Sequence, residues 1–486
     1  MSEIVFASSN SVESRKISRL VKAGELRELR PRVYTSNFTD DPAKIVRRNL
    51  ALILGQLYPN ALISHRSALE GGTLHGDDVY LTYGYSKKVP WPGLTVHLLA
   101  GPGPLDSDRP HLGKLRLSSR PRALLENMQA SRGKKGKCLP RPRIEELLEK
   151  ICRLHGEAEL NRLRDEARKL AKPLGMAAEF TELNRFFSAI LGTGNAKSLT
   201  TGVTRARAAQ MPFDPDRLDL FTKLAGALNA EVLPRVAQPK LSTEARRNYA
   251  FFEAYFSNYI EGTEFEVEEA REIVFQQKVS ENRPKDAHDV VGTFQLVADA
   301  KEARRVPDSA DSLIALLQSR HAVLMSARPE ENPGQFKEKP NRAGATHFVA
   351  PDLVRGTLKQ GFDLSRSLGE GFARALYAMF LVAEVHPFKD GNGRIARIFL
   401  NAELSHAGLC RIIIPTVLRD DYILALKALT NNGNVEPYIR VMTRAQSFTA
   451  SVDYSEFAAC ERDLTARNAF RESEEARLIS NPAHGR

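Results

Sequence analysis

Residues 386–397 read HPFKDGNGRIAR, and this stretch decides how the rest of the chain is read. Gly391, Asn392 and Gly393 are residue types that tolerate positive φ, and they can turn successive backbone N–H groups toward one point. Such a nest binds anionic oxygens, and a helix starting just after it adds its positive dipole end. Arg394 and Arg397 stand three apart, on one face of that helix, with guanidinium forks that match phosphate oxygens. Asp390 offers a hard carboxylate oxygen suited to Mg²⁺ that still holds phosphate and water. His386 is the side chain here able to take a proton near neutral pH. Phe388 is expected to point inward and anchor the loop. The assembly reads as a triphosphate cradle with a base beside it.

The same twelve residues match H-x-F-x-(D/E)-G-N-G-R-x-x-R at every specified position, and by that motif the chain resembles the Fic family of protein adenylyltransferases. The resemblance implies a C-terminal all-α domain with a β-hairpin flap. It also implies transfer of AMP from ATP to a Tyr, Ser or Thr hydroxyl of a target protein, with release of pyrophosphate. By position His386 is the general base and Asp390 the Mg²⁺ ligand. Gly391, Asn392 and Gly393 bind the phosphates, with Arg394 on the outer ones. Upstream, NPGQFKEKPNRAGATHFVAP (332–351) resembles the flap that aligns the target segment, with Ala343, Gly344, Ala345 and Thr346 near the nucleotide. Its opening, Gly334-Gln335-Phe336-Lys337, departs from the family's Gly-x-Tyr-Arg. Downstream, residues 412–440 resemble the closing helices, which brings Tyr422, Ile423 and Asn431 to positions that contact adenosine.

Residues 257–262, SNYIEG, match the family's inhibitory pattern (S/T)-x-x-x-E-(G/N). Ser257 and Glu261 are four apart and share a helix face, with Gly262 as a natural stop. The resemblance sets Glu261 against Arg397, where its carboxylate removes a γ-phosphate ligand and repels the γ-phosphate. Two other readings stand beside a braked transferase. On the same fold, Glu261 would position water for AMP removal, or another nucleotide would be the donor. In another class, the chain would be a DNA-binding regulator whose Fic half senses nucleotide.

Charge motivates that last reading. The 486-residue chain has net charge +11, but residues 1–250 carry +15 and residues 251–486 carry −4. A basic half joined to a mildly acidic one points to an anionic partner such as DNA. Within residues 12–35, Ile17, Leu20 and Val21 fall at helical spacing on a basic helix, Gly24 stops it, and ELRELRPRVYT alternates as a hairpin does. KAGELRELRPRVYT with SHRSALEGG (64–72) resembles the N-terminal part of AbiEi-type antitoxin regulators, which implies a winged helix. A single helix precedes the hairpin, and Arg32 replaces the usual Gly. Residues 78–98 read as strands, and 131–143, SRGKKGKCLPRPR, as a loop with six basic side chains and no acidic one.

The expected organisation is multidomain and mainly α. It comprises a winged-helix-like α+β part (1–75), a small β-rich part (76–130), a basic loop and helical connector (131–240), the Fic domain (241–450) and a polar C-terminal tail (451–486). Residues 232–241 carry two prolines and mark the boundary before the Fic half. The N-terminus lacks the apolar core of a secretory signal, and no apolar run reaches a membrane span. Cys138, Cys152, Cys410 and Cys460 lack CxxC spacing, which fits a reducing cytoplasm. Expected partners are ATP, a target protein and, through the basic half, DNA, with a homo-oligomer allowed.

Overall fold

The computed structural model describes residues 3–72, 76–112, 114–130, 136–278, 282–369 and 371–479. The chain forms two compact units, Met1–Gln210 and Met211–Arg486. It is mainly helical, with an α+β first unit and an all-α second unit bearing one short hairpin. No helix among the described residues is long and apolar enough to cross a membrane.

In the first unit, the helix Ser11–Lys22 starts at Asn10, whose side chain accepts from the N–H groups of Val12 and Glu13. It buries no residue. Strands Arg27–Arg30 and Val33–Thr35 form the expected hairpin, and Ile4–Phe6 adds a third strand against Val33–Thr35. The hairpin turns at Arg32, whose φ of 75° is where a glycine would sit without strain. The winged-helix detail is not established by this arrangement, which has one helix ahead of the hairpin.

A mixed six-stranded sheet follows. Asp78–Tyr83 and Leu94–Ala100 pair in parallel at its centre, and Lys87–Trp91 flanks them antiparallel. Val79, Leu81, Val96 and Leu98 alternate into its core, as strands of period two require. Helices Arg141–Ala171 and Ala177–Ile190 build a separate helical core through Leu148, Leu163, Leu183 and Phe187. Of the basic loop, residues 131–135 lie outside the described residues, and Arg141 already opens a helix.

The second unit begins before the proline-containing stretch at 232–241. Helix Pro215–Ala230 drives Phe221, Leu224 and Leu228 into the second core, with Phe221 edge-on to Tyr377 and Phe380. That burial ties to the second unit a helix that composition alone assigns to a connector. At the centre lie helices Phe372–Val385 and Asn392–His406, which share the HPFKDGNGR turn. Helix Thr243–Ile260 is buried nearly all round, as its run of Phe251, Phe252, Tyr255 and Phe256 demands. The C-terminal stretch is packed rather than frayed: Phe457, opening helix Phe457–Ala466, and Phe470 stack against Phe252 and Phe256. Residues 480–486 lie outside the described residues.

Candidate active site

His386 ends helix Phe372–Val385 in a left-handed conformation (φ 51°, ψ 59°), which swings the chain into the motif loop. Its ring stacks on Phe348 at 3.7 Å, and Nδ1 lies 3.2 Å from the Ala383 carbonyl. A carbonyl only accepts, so Nδ1 carries the proton and Nε2 keeps its lone pair. Burial pushes the ring's pKa down to about 4, opposed by the Ala383 bond and helped by Lys337. His386 is therefore neutral at physiological pH, less basic than an exposed histidine but always available.

The loop is fixed from inside. Phe388 is fully buried and stacks on His321 at 3.7 Å. The Asn392 side chain accepts from the Phe388 N–H at 2.8 Å and donates to the Phe388 carbonyl at 2.9 Å. Asn341 donates to that carbonyl too. His321 accepts from the Gly334 N–H at Nδ1, so its Nε2–H donates to the Asp390 carbonyl at 3.1 Å. Burial also holds the His321 pKa down, to about 4.

Three expectations change here. Gly391 alone of the Gly-Asn-Gly triplet has positive φ (75°); Asn392 and Gly393 already form the first helical turn. The donors available to an anion are thus the N–H groups of a helix start, with Gly391 as its cap. Asn392 has its amide side chain turned into the loop, which leaves its backbone N–H as the donor available to an anion. The Arg394 side chain does not reach the cleft: it is buried, 2.7 Å from Asp289 and 3.4 Å from Asp390, with Asn258 alongside. Burying a guanidinium requires such a partner, and Asp289 also holds Arg328 at 2.8 Å.

Arg397 lies one turn further along. Its Nε donates to Ser257 Oγ at 2.9 Å, and Nη2 donates to the Ser257 carbonyl and to Glu261 Oε1, both at 2.7 Å. Burial opposes its charge, but Glu261 and Tyr422 hold its pKa above the ordinary arginine value. Glu261 caps helix Thr243–Ile260, and Gly262 (φ 87°) turns the chain away. The carboxylate lies where a side chain at position 393 would be: a Cβ on Gly393 would overlap Glu261 Oε1.

Arg397, Glu261, Gly393 and His386 line one cleft of about 240 Å³, with Ala343, Thr346, Tyr422 and Ile423. Gly344 (φ 58°) and Ala345 form the two-residue turn between strands Arg342–Ala343 and Thr346–His347. Asn431 is exposed and outside the cleft; Thr430, one step back on helix Arg419–Asn432, lines it instead. One residue turns a helix by about 100°, enough to exchange an inward position for an outward one. Glu384, Lys427 and Phe348 also line the cleft without having been read from the sequence.

Residues 313–404 match the Fic/DOC family. Over that stretch the chain is similar to Fic domains. Curated relatives named "Protein adenylyltransferase Fic" include one from Drosophila persimilis, 27% identical over 265 residues, covering 52% of this chain and 50% of that protein. Another, from Drosophila grimshawi, is 29% identical over 203 residues, covering 40% and 41%. The chain thus spans about half the length of the curated relatives it matches. Among solved structures, Fic-1 from C. elegans is similar over 71% of this chain and 98% of that one, at 22% identity and a TM-score of 0.37.

Proposed function

We propose that the protein transfers AMP from ATP to a hydroxyl of a target protein and is held back by Glu261. The carrying observation is a neutral His386, its Nε2 free to accept, lining the same cleft as Arg397 and the helix start at Asn392. His386 takes the proton as the hydroxyl oxygen bonds to the α-phosphorus, and the bond to the departing pyrophosphate breaks. The amides at the helix start and Arg397 receive phosphate oxygens where negative charge develops. Asp390 is half-exposed at the loop end. It suits Mg²⁺, which binds through one or two carboxylates plus phosphates and water rather than a protein cage. Bound there, Mg²⁺ would neutralise phosphate charge.

In the state described, Glu261 occupies the Nη2 of Arg397 that the outer phosphate needs. The test is to incubate wild type, Glu261→Gly and His386→Ala with Mg²⁺ and α-labelled ATP, with and without lysate. Label on protein with Glu261→Gly, little with wild type and none with His386→Ala supports the reading. Absence of transfer by every variant, with ATP binding shown, rejects it in favour of AMP removal or another donor.

A second reading concerns the first unit. Helix Ser11–Lys22 buries nothing and displays Arg15, Lys16, Arg19 and Lys22 beside an arginine-rich hairpin. We propose that this face meets duplex DNA through its phosphates. Binding should weaken steeply with salt, and no binding at low salt would remove the reading.

A further inference from the structure

We propose that Arg217 is a positioning residue that latches the flap over the cleft, an inference that rests on the transferase reading above. Arg217 lies in the first turn of helix Pro215–Ala230. Its two terminal nitrogens reach two different elements: Nη1 is 2.7 Å from Glu384 Oε1, and Nη2 donates to the His347 carbonyl at 2.5 Å. Glu384 stands two residues before His386 and also accepts from Thr430 Oγ1 at 2.6 Å. His347 belongs to the flap strand Thr346–His347, and the next residue, Phe348, stacks on His386. One guanidinium therefore joins the flap, the catalytic helix and, through Glu384, the closing helix Arg419–Asn432.

The base of the latch is rigid. Asp214 caps the helix, and its own N–H donates to Thr357 Oγ1 at 2.9 Å. The Pro212 carbonyl rests on Gly356, where a Cβ would collide with it. The far end of the flap is tied separately: Asn341 donates to the Phe388 carbonyl and accepts from Lys337 Nζ at 2.7 Å. A planar fork presents two nitrogens in fixed directions to the carboxylate and the carbonyl, whereas a lysine ammonium offers a single point of charge on a flexible stem and fixes their relative placement less well. The buried Glu384 orients that fork. Burial raises the Glu384 pKa, and Arg217 opposes the rise. A flap released at His347 would lose the fixed edge on which a target strand can pair, and Phe348 would lose its register on His386.

The experiment compares Arg217→Lys and Arg217→Met with the parent, all in the full chain carrying Glu261→Gly. Three quantities are followed: amide exchange across residues 340–349, affinity for a non-hydrolysable ATP analogue, and self-labelling from α-labelled ATP. Circular dichroism confirms the fold of each variant. The expected result is flap exchange faster by about tenfold, as loss of one charge-assisted hydrogen bond implies. Analogue affinity should stay within about twofold and labelling should fall by about tenfold, less for Lys than for Met. Unchanged flap exchange overturns the latch. So does a fall in analogue affinity parallel to labelling, which would make Arg217 a nucleotide-pocket residue. If the Glu261→Gly parent does not label at all, the transferase reading fails, and flap exchange still decides the latch.

Discussion

Replacing Glu261 tests the central contact most directly. The carboxylate sits 2.7 Å from Arg397 Nη2, with the arginine side chain 7% exposed and the glutamate 33% exposed. Two unit charges about 4 Å apart attract by about 4 kcal/mol at an effective dielectric of about 20. Water at the exposed face of Glu261 reduces this, so roughly 1–3 kcal/mol separates the paired from the open arginine, a factor of about 5 to 150. Glu261→Gly should raise AMP transfer by a factor in that range. Glu261→Gln keeps an acceptor for Arg397 but removes the charge that repels a γ-phosphate, and should fall between the two. Initial rates of label incorporation from α-labelled ATP, at several ATP concentrations, give the measure. Adding Arg397→Ala to Glu261→Gly should lower the rate again, because the freed guanidinium is what the outer phosphate uses. A series in which Gly, Gln and wild type transfer equally, while His386→Ala abolishes labelling in all three backgrounds, would refute the idea that this ion pair limits activity.

Other consequences can be checked without a target. His321 is buried and neutral with its pKa held down to about 4, against an ordinary 6.5. Its unfolded form therefore binds the extra proton, so this part of the stability is complete above pH 6.5 and lost as pH falls toward 4, about 3 kcal/mol in all. Melting temperature should drop over that window, and less so in His321→Phe. His386 remains neutral through the same range down to about 4, so transfer rates measured between pH 6 and 8 should show no acid limb near 6.5. Asp289→Ala leaves Arg394 and Arg328 without their shared carboxylate. Loss of a buried partner costs about 3–5 kcal/mol, which calorimetry should register in the transition of the second unit. Gly393→Ala forces a methyl against the Glu261 carboxylate. It should expel that side chain from Arg397, visible as faster amide exchange around Gly262.

The sequence was legible where chemistry is local and opaque where it is assembled. HPFKDGNGRIAR yields the loop, the helix start and the placing of His386 because a turn, its cap and the first helical residues are neighbours in the chain. SNYIEG is legible for the same reason: two side chains four apart must share a face, and Ser257 and Glu261 do meet Arg397 together. The role of a side chain inside that loop is another matter. Asn392 and Arg394 have the chemistry of phosphate ligands, yet each is taken up by a buried neighbour, Phe388 or Asp289, whose position the motif does not encode. Of the three residues expected beside adenosine, Tyr422 and Ile423 line the cleft while Thr430 stands there in place of Asn431, because spacing fixes a helix face only when the helix register is known.

Arg217 shows the limit most clearly. It sits in a stretch that composition marks as connector, 169 residues before His386, and nothing around it in the chain differs from a solvated helix start. Its partners are a carbonyl, which carries no sequence signature, and Glu384, which reads as an interruption of an apolar helix. An acidic residue at a position that must be buried is nonetheless a signal. A carboxylate inside the run FLVAEVHPF is tolerated only if a cation or donors meet it there, so the sequence does announce that a distant cation or hydrogen-bond donor reaches this helix. What it withholds is which one, and that the same guanidinium also holds the flap.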